Sequence, residues 1–135
     1  MLRISILFIV ALFSLNSFSS NSKEYSLQTW SCAEKNNLLN PELKNLKSIK
    51  IFETETQRIV TLNIYNSGQV STVLIHELKN WNQTSTQLAG WSQDSTYMYH
   101  FTIEFNSNGK AEKVKVYTTY IHFDGDDVCV GDLEI

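Results

Sequence analysis

The sequence predicts an all-β protein, an eight-stranded antiparallel up-and-down meander that closes as a small barrel, with one short N-terminal helix. Three observations carry this expectation. From Lys50 onward the apolar residues recur with a period of two, the pattern of half-buried strands. Turn-forming runs punctuate that pattern: Ser67-Gly68, Ser92-Gln93-Asp94-Ser95, Asn108-Gly109 and Asp124-Gly125. No amphipathic segment of helix length interrupts it. The alternative architecture is a β-sandwich with a disulfide between its sheets.

The first segment is expected to be an export signal. Residues 1–20 read MLRISILFIVALFSLNSFSS. Arg3 supplies the positive start. Ile4 to Leu15 is an apolar stretch of 12 residues, broken by Ser5 and Ser14. Ser17 and Ser19 have the spacing that a signal peptidase accepts. The apolar run is shorter than the roughly 20 residues that span a bilayer. Residues 1–19 are therefore read as a signal peptide and residues 20–135 as a single β domain. That length suits one core and is too short for two domains. The expected location is the periplasm or the extracellular space.

The first strand candidate is 25–32. Asn40-Pro41-Glu42 then starts a short helix: Asn caps it, Pro fits its first turn, and the acid sits near its positive end. Leu43 and Leu46 are its buried side. The remaining strands are expected at 49–56, 58–65, 70–78, 84–91, 96–105, 111–123 and 127–134, with Asn80-Trp81-Asn82 read as a connection.

Turn chemistry fixes which side chains share a face, because a one-residue slip moves all of them to the other side. Around Asn108-Gly109, Phe101 should meet Val116 and Ile103 should meet Val114. Phe105 should meet Glu112, and Glu104 should meet Lys113 as a cross-strand pair of opposite charges. Around Ser67-Gly68, Leu62 should meet Val73 and Val60 should meet Ile75. The turn at 92–95 should set Leu88 against Tyr99 and Gly90 against Tyr97. The Asp124-Gly125 turn should set Cys129 against Tyr120.

Two cysteines, Cys32 and Cys129, stand 97 residues apart. In an oxidising compartment they are expected to form a disulfide. One cysteine ends the first strand and the other lies in the last, so the bond would staple the seam of a closed sheet. A loop of that size gives about 4.5 kcal/mol in the chain-entropy model.

Composition narrows the function. Removal of residues 1–19 deletes Arg3 and no acid, leaving 10 basic and 14 acidic side chains and a charge of −4. An acidic chain lacks the basic stripe that neutralises phosphates, so no nucleic-acid partner is expected. His76-Glu77 lacks the second histidine of a zinc-protease motif. His100 and Glu104 share an outward face but stand about 13 Å apart along a strand, too far for an acid–base pair. There is no nucleotide-binding glycine loop and no nucleophile elbow. No catalytic residue, metal site or cofactor is expected. The run Asp124-Gly125-Asp126-Asp127 has clustered carboxylates but lacks the spacing of a calcium loop, and a tight Asp-Gly turn explains it. Asn82-Gln83-Thr84 is an acceptor sequence for glycosylation.

The remaining signal is surface chemistry. Three Trp, six Tyr and seven Phe are many for this length, and parity points Trp91, Met98 and His100 outward. Trp81 falls in a connection. These four, with Asp124, Asp126 and Asp127, form the candidate binding surface. Asp132 and Glu134 extend an acidic C-terminal edge that would suit a basic secreted or periplasmic protein. An exported eight-strand barrel with one disulfide joining its ends resembles the small periplasmic lysozyme inhibitors of bacteria. The resemblance covers topology and cysteine placement. It implies an inhibitor or adaptor that binds a macromolecule and carries over no site residues. The alternative functions are a carrier of a small apolar ligand inside the barrel and a hydrolase of unrecognised type.

Overall fold

The structure, a computed structural model, describes residues 21–121 and 125–134. The expected signal peptide, His122 and Asp124 lie outside the described residues. Those described form ten strands and one 3-10 helix: β1 (Asn21–Ser26), β2 (Ser31–Ala33), the helix (Pro41–Asn45), β3 (Leu46–Glu53), β4 (Arg58–Asn66), β5 (Gln69–Glu77), β6 (Lys79–Gln83), β7 (Gln87–Gln93), β8 (Tyr97–Phe105), β9 (Ala111–Tyr120) and β10 (Asp127–Asp132). All strand pairs are antiparallel. One sheet has the order β1-β3-β4-β5 and the other β2-β10-β9-β8-β7-β6.

The expected barrel is corrected. The ladder breaks at two corners, so eight expected strands become ten in two sheets. The expected first strand is cut in two. At that corner the Leu27 N–H donates to the Lys47 carbonyl beside β3, whereas the Gln28 and Thr29 N–H groups donate to the Asp132 carbonyl at the end of β10. The chain thus leaves one sheet and joins the other. The second corner is Leu78, between β5 and β6, where the expected connection at 80–82 is itself a strand. Strands that switch sheets are a known way of turning the corner of a two-sheet fold.

A glycine lies under each corner. A Cβ on Gly131 would press on the Thr29 carbonyl oxygen and approach the Trp30 ring to 2.6 Å. A Cβ on Gly90 would lie 2.9 Å from Leu78 Cβ and 3.2 Å from Trp81 Cβ. Each corner crosses its neighbouring strand only because that strand is bare there.

Register follows the turns with instructive exceptions. Phe101 meets Val116, Ile103 meets Val114 and Glu104 meets Lys113, as expected. A register shift after Glu104 sets Phe105 against Ala111, not Glu112. Leu88 meets Ile103 in place of Tyr99, Gly90 meets Phe101 in place of Tyr97, and Cys129 meets Val116 in place of Tyr120. These three offsets are even, so the faces are preserved.

The Ser67-Gly68 hairpin differs by an odd step. Both turn residues adopt positive φ, 54° and 79°, as a primed two-residue turn demands. A bulge follows, however: Ile64 meets Thr72 while Tyr65 meets Val70, which leaves Ser71 extra. The Ser71 hydroxyl donates to the Ile64 carbonyl and holds the bulge. Leu62 therefore meets Leu74 and Val60 meets His76. His76 turns into the core, and Val73 and Ile75 turn outward, 47% and 70% exposed.

The sheets share one core. Ile49, Val60 and Leu62 from the first sheet pack with Tyr99, Phe101 and Ile103 from the second, each at most 1% exposed. Tyr99 and Phe101 contribute large buried rings to this core. The helix has five residues, with Asn40 Oδ1 accepting from the Glu42 N–H; Leu43 is its buried residue as expected, whereas Leu46, also buried, already begins β3. The disulfide joins Cys32 and Cys129. The two face each other in one sheet, on β2 and β10, rather than bridging two sheets as in the sandwich alternative.

Gly131→Ala is expected to lower stability by about 2–3 kcal/mol, because its Cβ meets backbone that cannot give way. A denaturant midpoint near wild type would show that the corner is not built on Gly131. Reducing the disulfide should remove up to about 4.5 kcal/mol, read as the difference between urea curves with and without reductant.

Candidate binding surface

The outer face of the six-stranded sheet gathers most of the aromatic candidates. Trp91 on β7 stands directly opposite His100 on β8, and His100 stands opposite Tyr117 on β9. Lys79 on β6 faces Trp91 from the other side. Neighbouring strands lie about 4.8 Å apart, so these four side chains form one row. Met98 lies in the next row, between Gln93 and Thr119. Trp91, Met98 and Tyr117 are half-buried and His100 is exposed. The Lys79 ammonium sits 5.3 Å from the Trp91 ring centre, and that of Lys115 sits 6.0 Å from the Tyr117 ring. Such contacts hold the rings and leave cations at the edge of the patch. Beside the row a groove of about 390 Å³ is lined by Thr102, Glu104, Lys113, Lys115, Val130 and Asp132 among others.

The structure separates Trp81 from this group. Its Cβ rests on Gly90, its side chain packs against the core, and the Arg58 guanidinium lies 4.3 Å over its ring. Trp30 is also structural: its indole N–H donates to the Leu43 carbonyl at 2.7 Å. Tyr117 is the residue that sequence reasoning missed. The register set by Asn108-Gly109 places it opposite His100, so the signal was present.

The acidic run does not act as one patch. Asp126 is exposed, and its carbonyl accepts from the Asn36 side chain. Asp127 is corrected as a surface residue, because it is 2% exposed. Its carboxylate accepts from the N–H groups of Lys35 at 3.0 Å, Asn36 at 2.9 Å and Leu38 at 2.8 Å. Burial pushes this carboxyl up, but the amides of Leu38, Asn36, Lys35 and Leu39 outweigh it and hold it below its ordinary value. Asp132 is exposed and bonded to the Thr29 hydroxyl. Among the described residues no three His, Cys, Asp or Glu side chains converge as metal ligands would.

A second polar cluster lies between the sheets. His76 Nδ1 is 3.3 Å from Ser92 Oγ, and the His76 ring packs edge-on against Tyr99 with centres 4.5 Å apart. Tyr99 donates its hydroxyl proton to Asp94 and accepts from Asn40 Nδ2. Burial lowers the His76 pKa, and the opposing charge of Asp94 offsets this only in part. Burial would raise the Asp94 carboxyl. The amides of Tyr97 and Thr96, the Tyr99 hydroxyl and His76 together hold it below its ordinary value. Ser92 and His76 are 6% and 5% exposed, so a substrate has no approach to this serine–histidine pair in this arrangement. The cluster ties the first loop and both sheets together.

No family model, curated protein or solved structure matches this chain.

Asp127→Asn is expected to lower stability by about 2–3 kcal/mol at pH 7, because an amide cannot accept from all the amides that the carboxylate serves. The folded pKa of Asp127 lies below the unfolded value. Its contribution is therefore complete above about pH 4 and is lost as pH falls through the depressed folded value. Urea unfolding at pH 7 and again well below pH 4 should show the gap between variant and wild type narrowing in acid; a gap that does not change would refute the assignment.

Proposed function

We propose that this chain is an exported binding module, of inhibitor or adaptor type, that holds a macromolecular partner on the outer face of its six-stranded sheet. Export is read from Arg3, the apolar stretch 4–15 and the serines after it, and the disulfide is consistent with an oxidising compartment. The single observation that carries the binding reading is the row Trp91–His100–Tyr117 on adjacent strands of a rigid sheet. Aromatic rings held by packing lose little entropy on binding and act as anchors. Lys79, Lys113 and Lys115 outnumber Glu104 and Asp132 around them, so this face suits an acidic or neutral surface.

A second reading keeps the acidic C-terminal edge as the contact for a basic secreted or periplasmic protein. It rests on Asp126 and Glu134, both exposed, with Asp127 removed from it by burial.

The test is a pull-down with the disulfide-intact protein against periplasmic or extracellular extract, followed by titration of the recovered partner. Trp91→Ala and His100→Ala should each weaken that partner tenfold or more, on the order of 1.4 kcal/mol or above. If both variants bind normally and Asp126→Lys with Glu134→Lys abolishes binding, the acidic edge is the contact and the aromatic row is not.

A further inference from the structure

Among the described residues the two sheets have four edge strands, and three are protected from pairing with another chain. β1 carries the exposed charges Lys23 and Glu24. β2 has only three residues. β6 begins at Lys79, breaks register between Lys79 and Asn82, and holds Asn80 at a positive φ of 48°. Charges, shortness and irregularity are the usual devices that blunt an edge. β5 lacks them after its Ser71 bulge. From Thr72 to His76 it carries no Lys, Arg, Asp, Glu or Pro, and it exposes Val73 and Ile75.

We propose that the protein self-associates as a two-fold dimer, through antiparallel pairing of β5 with β5 of a second copy, centred on Leu74. The register follows from the limits of the regular segment. The bulge ends it at Ser71 on one side. On the other side the chain leaves at Leu78, whose N–H donates to the Arg58 carbonyl before β6 begins. Centring on Leu74 places the pairing window inside these limits. Val73 then stands opposite Ile75 of the second copy, and Ile75 opposite Val73. The two outward apolar side chains cover each other twice, and Leu74 meets its own copy on the inner side. A centre on Val73 would set Ile75 against the Ser71 bulge, and a centre on Ile75 would set Glu77 against Val73.

No like charges meet in the chosen register, which makes the strand complementary to itself. An isologous contact of this kind closes at two copies. The two four-stranded sheets become one sheet of eight strands. The paired window is short, so the interface falls at the low end of the roughly 1,200–2,000 Å² of stable complexes. The dimer is therefore reversible and depends on concentration. This surface lies on the sheet opposite Trp91 and does not rest on the binding role of that residue.

Sedimentation equilibrium of the disulfide-intact protein, from low to high micromolar concentration, tests the proposal. The mass-average should rise twofold, from the monomer toward the dimer. Ile75→Lys and Val73→Lys should each abolish that rise. Both positions are exposed, so the variants should keep the wild-type thermal midpoint, which is measured alongside. Ile75→Val and Trp91→Ala should dimerise as wild type does. A protein that stays monomeric throughout overturns the proposal, even if its edge takes up an extended peptide. A dimer that survives both lysine variants overturns it equally, because the contact then lies elsewhere.

Discussion

The fold depends on what the last strand does to the first. Along β10 the inward positions Asp127, Cys129 and Gly131 alternate, and each meets the segment between β1 and the helix. Asp127 gathers the amides of Lys35, Asn36 and Leu38. Cys129 is bonded to Cys32. Gly131 leaves room for the Thr29 carbonyl and the Trp30 ring. The three interactions are of different kinds: a charge-assisted amide cradle, a covalent bond and a steric allowance. All three act on the same stretch, so the placement of Trp30, Leu38, Leu39 and the helix follows from β10.

The same stretch decides between a barrel and two sheets. Antiparallel hairpins joined in series curl naturally, and a continuous ladder would close. Here the chain changes sheet at residues 27–30 and again at Leu78. Both changes require one strand to cross closely over another, which Gly131 and Gly90 allow. The interior is then flat enough for His76, Tyr99 and Phe101 to pack ring against ring between the layers.

Much of this was legible in the sequence, and the failures share a cause. Period-two patterning located most strands, and the cysteine pair was evident from its setting. The outward set Trp91, Met98 and His100 survived because the hairpin at 92–95 differs from its expected register by an even step. The hairpin after Ser67-Gly68 did not survive, because one extra residue at Ser71 reverses every side chain beyond it. A bulge leaves little trace in composition. Corners are also hard to read, because a strand that bends between sheets has the same alternation as one that stays straight. Asp127 was misplaced for a related reason. An acid beside a turn reads as solvent-facing, and only the tertiary structure brings three backbone amides from some 90 residues away to meet it. Tyr117 was within reach, since the Asn108-Gly109 register already set it opposite His100.

The seam between β2 and β10 also shapes how the chain reaches its native state. Strands β3 to β5 form one local meander and β6 to β9 another, each joined by short turns that close quickly. The seam brings together residues 97 positions apart, and the entropy of closing so long a loop must be overcome before its contacts contribute. The two meanders are held by local contacts and the seam by distant ones, and the Cys32–Cys129 bond makes that distant closure covalent.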